Sequence, residues 1–152
     1  MKREIYVVLD NIRSRENVGS IFRTADAAGV SKVYLCGTTP CPPHEKISKT
    51  ALGAETYVPW EYYKQTGRLI DKLKKEALQV FGLENSKDAK NIFQLRSSTP
   101  KLALILGNEV RGLSATILKK CDKKIAIPMY GRKESLNVAV AAGIAVYTIL
   151  SV

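Results

Sequence analysis

The sequence has few of the residues on which several common kinds of protein depend. Its one histidine, His44, lies in a proline-rich segment, which leaves no partner for a Ser–His–Asp or Cys–His catalytic set. The three cysteines, Cys36, Cys41 and Cys121, form no close pair, which is typical of reduced thiols in a cytoplasmic protein. Cys41 and His44 alone do not complete a metal site, and no apolar run is long enough to cross a membrane. We therefore expect a cytoplasmic protein without a disulfide framework, a metal centre or a membrane span.

Two familiar nucleotide-binding loops are also absent. The first predicted strand is not followed by G-x-G-x-x-G, and G-x-x-x-x-G-K-[ST] occurs nowhere. These absences disfavour a dinucleotide-dependent dehydrogenase and a P-loop NTPase.

Acidic residues are scarce relative to basic ones. The chain has 14 Asp and Glu against 24 Lys and Arg, a formal net charge of +10. Folding does not require such an excess of positive charge. As its explanation we favour a polyanionic partner, such as nucleic acid, over solubility alone. The cations are spread through loops and helix ends, which is typical of a folded basic surface. They include Arg13, Arg15, Lys46, Lys49, Lys119, Lys120, Lys123, Lys124, Arg132 and Lys133.

Apolar runs and amphipathic segments alternate along the chain. Runs at 5–9, 32–36, 79–83, 102–106 and 124–127 predict buried strands, and the patterns at 18–28, 68–77, 114–120 and 136–150 predict helices. The last helix is apolar almost all round, which predicts burial on several sides. The alternation predicts one α/β domain with a mainly parallel sheet over residues 1–152. Between residues 38 and 66 the pattern lapses, and two interpretations fit: an excursion over the surface or at an interface, and a packed flap.

The first predicted helix carries an arginine outside its apolar face. We expect Asn17 to cap this helix and Gly29 to end it. Gly19 costs the helix about 1 kcal/mol relative to alanine, which indicates that some group approaches the backbone closely. Arg23 fits two interpretations. It either pairs with Asp26 on a solvated face or holds a phosphate or a developing oxyanion.

Polar turns follow three predicted strands, at residues 10–17, 107–114 and 128–137, and the second and third of these turns contain glycine. In a parallel sheet these turns meet at the edge where open α/β sheets bind ligands. Four apolar residues near this edge can flank an adenine: Leu83, Ile127, Met129 and Leu136. Each polar residue also has a structural interpretation on its own. Ser135, for example, can cap the last helix, and Glu109 can pair with Arg13 or Arg111.

Three motifs in these turns resemble those of the SpoU (TrmH) family, which are SPOUT-class RNA ribose 2′-O-methyltransferases. They are Asn17-x-Gly19-x-x-x-Arg23, Gly107-Asn108-Glu109-x-x-Gly112-Leu113, and Ile127-Pro128-Met129 with Ser135-Leu136-Asn137-Val138. Their order and spacing are compatible with the family over essentially the whole chain. The chain is similar to a minimal member, with residues 1–152 as a single SPOUT methyltransferase domain.

The resemblance implies a C-terminal trefoil knot in the sheet, which composition and periodicity do not indicate. It also implies S-adenosylmethionine as the cofactor and a homodimer in which Arg23 serves a cofactor held mainly by the partner subunit. The positions that match cofactor contacts are Leu83, Gly107, Ile127, Met129, Ser135 and Leu136. The positions that match the polar catalytic set are Asn17, Arg23, Glu109, Ser135 and Asn137. By this resemblance a side chain at Gly107 intrudes on the cofactor.

The implied reaction is methylation of a ribose 2′-hydroxyl in structured RNA, with tRNA expected first and rRNA second, and no DNA or membrane partner. A guanidinium is not deprotonated in proteins, so we expect Arg23 to act as a clamp, with phosphate, water or Glu109 removing the proton. One alternative is a non-catalytic RNA-binding or ribosome-assembly protein on the same scaffold, which would not need Arg23, Glu109 and Asn137. A methyltransferase acting on a base is the other.

Overall fold

Seven parallel strands form a single sheet in the computed structural model, which describes residues 2–152. The strands are β1 (Glu4–Asp10), β2 (Lys32–Cys36), β3 (Trp60–Tyr63), β4 (Gln79–Leu83), β5 (Lys90–Asn91), β6 (Lys101–Leu106) and β7 (Lys123–Ala126). The helices are α1 (Arg15–Ala28), α2 (Glu45–Ala51), α3 (Thr66–Lys75), α4 (Ala115–Lys120) and α5 (Val138–Leu150). The strand order is β3-β2-β1-β6-β4-β7-β5, with β1, β6 and β4 in the middle. The predicted α/β fold with a mainly parallel sheet is confirmed.

Helices cover both faces of the sheet. Helices α1, α2 and α5 pack on one face, and α3 and α4 pack on the other. In β1, Val7 and Leu9 face the first layer and Val8 faces the second, and all three side chains are buried. Because both faces are covered, the central strands have continuous apolar sequences instead of alternating ones.

The segment 38–66, for which the sequence predicts no regular element, is built into the fold. Helix α2 packs against α1, and β3 pairs with β2 at the edge of the sheet. His44 caps the start of α2, where its Nδ1 accepts a hydrogen bond from the Lys46 N–H at 3.1 Å. The packed alternative is therefore confirmed for this segment, and the surface excursion is wrong.

Gly19 is required by the packing of α2 on α1. A Cβ atom at Gly19 would lie 2.2 Å from the carbonyl oxygen of Ile47 and 3.0 Å from the nitrogen of Ala51. The close approach indicated by this glycine is confirmed. However, the group that approaches is the backbone of α2, so Gly19 gives no support to a phosphate beside Arg23.

The two ends of α1 differ in how well the sequence predicts them. Gly29 ends the helix as predicted, in the left-handed region at φ 70°. The predicted cap at Asn17 is wrong, because α1 begins at Arg15 and the Ser14 hydroxyl accepts from the Asn17 N–H at 3.1 Å. This earlier start leaves the Asn17 side chain free for other partners.

Helix α5 is less covered than its sequence predicts. It begins at Val138, and its inner side is buried against the sheet and α1. Val140 and Tyr147, on its outer side, are 51% and 52% exposed in the single chain. Burial on several sides is therefore wrong for one copy of the chain, and α5 presents an apolar face to the outside.

The trefoil knot stays a prediction, which contacts between the segment after β4 and the C-terminal part of the chain support. Asn85 Nδ2 donates to the Glu134 carbonyl at 2.9 Å, and the short 3-10 turn Ile92–Gln94 packs on α5. Within residues 2–152, no helix is both long enough and apolar enough to cross a bilayer.

Candidate active site

Glu109 joins two of the three polar turns. Its Oε1 accepts from the Arg13 N–H at 2.9 Å, and its Oε2 accepts from the Ser14 N–H at 3.0 Å. The Asn17 side chain donates to the same Oε2 at 3.3 Å. The turn after β6 is thereby fixed to the turn after β1 and to the first residues of α1. Glu109 binds the backbone of Arg13, and no ion pair with Arg13 or Arg111 occurs among residues 2–152.

Asn137 brings in the third turn. Its Nδ2 donates to Asn17 Oδ1 at 3.1 Å, while its own Oδ1 accepts from the Ala139 N–H at 2.9 Å and caps α5. Glu109, Asn17 and Asn137 therefore form one continuous set of hydrogen bonds. The cap of the last helix is Asn137, and the alternative cap at Ser135 is wrong.

The donors around Glu109 decide its charge. Burial by itself would raise the pKa of the Glu109 carboxyl, but the backbone N–H groups of Arg13 and Ser14 and the Asn17 amide lower it below its ordinary value. A carboxylate stabilised in this way is a weak proton acceptor. The site therefore holds Glu109 as a fixed anion that positions the turns.

A pocket opens beside this set, at the carboxyl ends of β6, β4 and β7. All six residues with a predicted cofactor contact line it: Leu83, Gly107, Ile127, Met129, Ser135 and Leu136. Glu109 lies on the same wall. The pocket thus combines apolar side chains with a polar rim, as small-molecule sites commonly do.

Two lining residues escape the sequence analysis, Glu84 and Asn85. The Glu84 carboxylate accepts from the Leu113 N–H and so holds the turn after β6 from its other side. Asn85 bonds the backbone of Glu134 in the third turn. Both follow β4 directly, so the rule that ligands bind at the carboxyl ends of parallel strands is the signal that would have found them.

Gly107 is constrained by its own turn. A Cβ atom there would lie 2.6 Å from the carbonyl carbon of Gly112 and 2.8 Å from the nitrogen of Leu113. A side chain at this position would displace the turn that carries Glu109, whether or not a cofactor is bound. A side chain at Gly107 would therefore clash with the protein's own backbone, in addition to the expected intrusion on the cofactor.

Arg23 does not lie in the pocket of its own chain. It follows Asn17 by six residues on α1, which places it about 9 Å farther along the helix axis. Its side chain is exposed, and among the residues that the structure describes it forms no ion pair, so the pairing with Asp26 is wrong. The chain thus brings together four of the five predicted catalytic residues and leaves Arg23 apart.

Comparisons with known proteins identify the family of this chain. The model of the SpoU rRNA Methylase family matches residues 4–147. The 23S rRNA (guanosine(2553)-2′-O)-methyltransferase RlmP of Bacillus subtilis (strain 168) is 38% identical over 143 residues, covering 93% of this chain and 56% of that protein. This chain therefore spans little more than half the length of that relative.

Two solved structures are similar over almost the whole chain. The AdoMet-bound rRNA methyltransferase of Sinorhizobium meliloti has a TM-score of 0.89 and 29% identity, covering 97% of this chain and 56% of that one. A structure concerned with the 2-OH methylation of C/U34 on tRNA has a TM-score of 0.85 and 25% identity, covering 95% of this chain and 93% of that one.

Proposed function

We propose, from the premise that this chain belongs to the SpoU rRNA Methylase family, that it methylates a ribose 2′-hydroxyl in structured RNA with S-adenosylmethionine as the methyl donor. The observation that carries the proposal is the set of hydrogen bonds among Asn17, Glu109 and Asn137 beside the pocket. This set joins three turns whose residues are far apart in the sequence. A scaffold that only bound RNA would have no need for that convergence.

The pocket residues fit the proposed cofactor. Leu83, Ile127, Met129 and Leu136 supply partly exposed apolar surface that suits an adenine, and Ser135 adds a hydroxyl at the rim. S-adenosylmethionine, when bound there, supplies an electrophilic methyl group. The residues of the chain then have to hold the ribose in line with that group and stabilise charge on its oxygen.

Arg23 is the residue we assign to the ribose oxygen. A guanidinium group can stabilise an incipient alkoxide or clamp the adjacent phosphate, but it is not deprotonated in proteins and so does not act as the base. Glu109 is also a poor acceptor, because its oxygens already bind the N–H groups of Arg13 and Ser14. We therefore assign proton removal to an RNA phosphate or to water, and positioning of the turns to Glu109.

A homodimer would bring Arg23 to a pocket. Arg23 lies next to Thr24, which faces α5: a Cβ atom on Gly143 would be 3.8 Å from the Thr24 methyl group. The outer face of α5 carries the exposed Val140 and Tyr147, and α5 begins at the pocket, which Val138 lines. Pairing of two such faces about a two-fold axis would cover this apolar surface and carry Arg23 toward the partner's pocket.

For the substrate, we propose tRNA first and rRNA second. The structure concerned with the 2-OH methylation of C/U34 on tRNA supports tRNA, and the 38% identical 23S rRNA methyltransferase supports rRNA. The net charge of +10 suits either RNA.

A transfer assay tests the function and the substrate together. The protein is incubated with methyl-labelled S-adenosylmethionine and, separately, with purified tRNA and purified rRNA lacking the modification. The RNA is then digested to nucleosides. We expect label in a 2′-O-methylated nucleoside from the tRNA. Label in such a nucleoside from rRNA alone would reverse the substrate order. Label in a methylated base, or no label in either RNA, would overturn the reaction.

A further inference from the structure

A second groove lies on the other side of the turn that carries Glu109. Its volume is about 890 Å³, and it runs along the carboxyl ends of β3, β2, β1 and β6. Asp10, Thr38, Lys64 and Arg111 are among its lining residues. Since all these strands are parallel, the groove lies at the same sheet edge as the cofactor pocket.

The groove and the pocket share one wall. Asn108, Val110 and Gly112 line both, so the turn after β6 separates them. The tip of this turn is open, since Val110 is 82% exposed. A polymer whose reacting unit sits at the pocket can therefore pass over Val110 into the groove without leaving the sheet edge.

The charge of the groove favours an anion. Arg13, Lys64 and Arg111 are exposed, and none of them has an ion-pair partner within the described part of the chain. The only carboxylate in the lining, Asp10, is 7% exposed and accepts from the Thr66 hydroxyl at 2.5 Å. Three free cations thus stand against one buried carboxyl group.

The lining also narrows the kind of anion. None of its residues is aromatic, so the groove offers no platform on which a base can stack. Its large apolar members are limited to Val110 and Ile117. Exposed Lys and Arg side chains without stacking partners are typical of contacts to the sugar-phosphate backbone, which position a nucleic acid without reading its sequence.

We infer that this groove binds backbone phosphates of the RNA strand next to the nucleotide being methylated, chiefly through Lys64 and Arg111. The strand then crosses the turn after β6, with the reacting ribose at the pocket on one side and the flanking phosphates in the groove on the other. This inference rests on the proposed function for its choice of RNA as the ligand.

The test compares two double variants that each remove two positive charges. Lys64→Ala/Arg111→Ala empties the groove of two cations, and Lys2→Ala/Lys101→Ala removes two exposed lysines at the opposite edge of the sheet, where β1 and β6 begin. Binding of a short labelled single-stranded RNA is measured over a series of salt concentrations. Each lost phosphate contact reduces the slope of log affinity against log salt by about 0.7, so the groove variant should lose about 1.4. The control should keep the wild-type slope within error.

Four further measurements make the result specific to the groove. Cofactor affinity by calorimetry and the thermal midpoint should be unchanged in the groove variant, because neither residue lines the pocket. Methyl transfer to RNA should show a raised KM with kcat retained. In the unaltered protein, RNA should protect Lys64 from acetylation in a mass-spectrometric footprint and leave Lys101 reactive.

Each outcome bears on the groove or on the reaction separately. A groove variant that keeps the wild-type slope, or loses no more than the control, overturns the inference, as does acetylation of Lys64 that RNA does not slow. Inorganic phosphate is also added as a competitor in the RNA-binding assay. If it removes the difference in slope between the groove variant and the control, the groove is a general anion site and the inference is overturned. Absence of methyl transfer in the unaltered protein, with the slope change present, would overturn the reaction and leave the groove as an RNA site.

Discussion

At Arg23, a permanently charged side chain stands on the exposed side of α1, outside the pocket formed by the same chain. An ion pair does not account for an arginine at this position, because Arg23 forms none among residues 2–152. The nearby Gly19 does not account for it either, because that glycine is required by the packing of α2. Replacement of an exposed arginine without an ion pair should change the free energy of unfolding little. Its removal therefore separates function from folding.

We expect Arg23→Ala to reduce methyl transfer about 100- to 1,000-fold, the cost of removing one preorganised donor from a reacting oxygen. Cofactor affinity should stay close to the wild-type value, because we assign Arg23 to the ribose oxygen of the RNA and not to the cofactor. Single-turnover transfer and calorimetry measure the two effects. Arg68→Ala, an exposed arginine on the other face of the sheet, is the matched control. Transfer by the Arg23 variant at the control rate would contradict the assignment.

Glu109 has a pH dependence whose sign follows from its donors. Its pKa in the folded protein lies below the ordinary 4.5, so the stability that it contributes is present in full above pH 4.5 and is lost as pH falls through the folded value. We expect Glu109→Gln to lower the free energy of unfolding by about 1–2 kcal/mol at neutral pH, since the group is partly exposed and loses charge-assisted hydrogen bonds. Urea unfolding over a pH series measures the gap between the two proteins.

That gap should be constant near neutrality and should narrow below pH 4.5. Glu4→Gln, an exposed residue at the other end of β1, is the control and should show almost no gap at any pH. A gap for the Glu109 variant that widened in acid would show that the carboxylate is not the stabilised form.

The sequence predicts the identity of these residues better than their roles. Ser14 and Asn17 are equally good caps by type, and the choice between them depends on Glu109, which is 92 residues away from Asn17. The same holds for Ser135 and Asn137 at α5, where the bond to Asn17 spans 120 residues. Local propensity cannot contain this information.

At the scale of elements, segments with a clear apolar pattern are predicted well, and segments without one are not. All five predicted strands form, and the four predicted helices form with ends that differ by two or three residues at most. The missing elements, α2, β3 and β5, have seven residues or fewer. Helix α2 has only two buried apolar residues, Ile47 and Ala51, so its sequence shows no clear apolar face. Strand β3 is an exposed edge strand without an apolar run. Tertiary packing stabilises them more than their own sequence does.

Gly19 offers a test of how tightly α2 packs on α1. We expect Gly19→Ala to lower the free energy of unfolding by about 1–3 kcal/mol, in spite of the better helix propensity of alanine, because the new Cβ meets the backbone of Ile47. The control is Gly67→Ala in the first turn of α3, where a Cβ would lie 3.3 Å from the end of the flexible Lys120 side chain. That variant should be neutral or slightly more stable. Chemical denaturation of both decides the point, and equal stabilities would contradict the packing.

At the scale of the whole molecule, the separation of Arg23 from the pocket leads to an experiment on mixed subunits. Arg23→Ala retains a working pocket, and Leu136→Glu places a charge on the pocket wall while retaining Arg23. If each site uses Arg23 of the partner, random exchange of the two variants should restore about a quarter of the wild-type activity, since half of the dimers then contain one complete site.

If Arg23 serves its own pocket, the mixture should stay as inactive as its components. Sedimentation should find the unaltered protein as a dimer. Val140→Lys combined with Tyr147→Lys should yield a monomer that has lost methyl transfer. A monomer with full transfer activity would contradict the shared site.

The partners of the hydrogen bonds around Glu109 are far apart in the order of synthesis. The N–H groups of Arg13 and Ser14 bind the Glu109 carboxylate, which lies 96 and 95 residues later in the chain. Asn17 binds Asn137, which lies 120 residues later. Contacts of such long range form after local ones, and domains grow from the ribosome in the order of their sequence. The groove needs residues only up to Ile117, whereas the pocket needs residues up to Ala141. All residues that line the groove are therefore synthesised before the last residues that line the pocket.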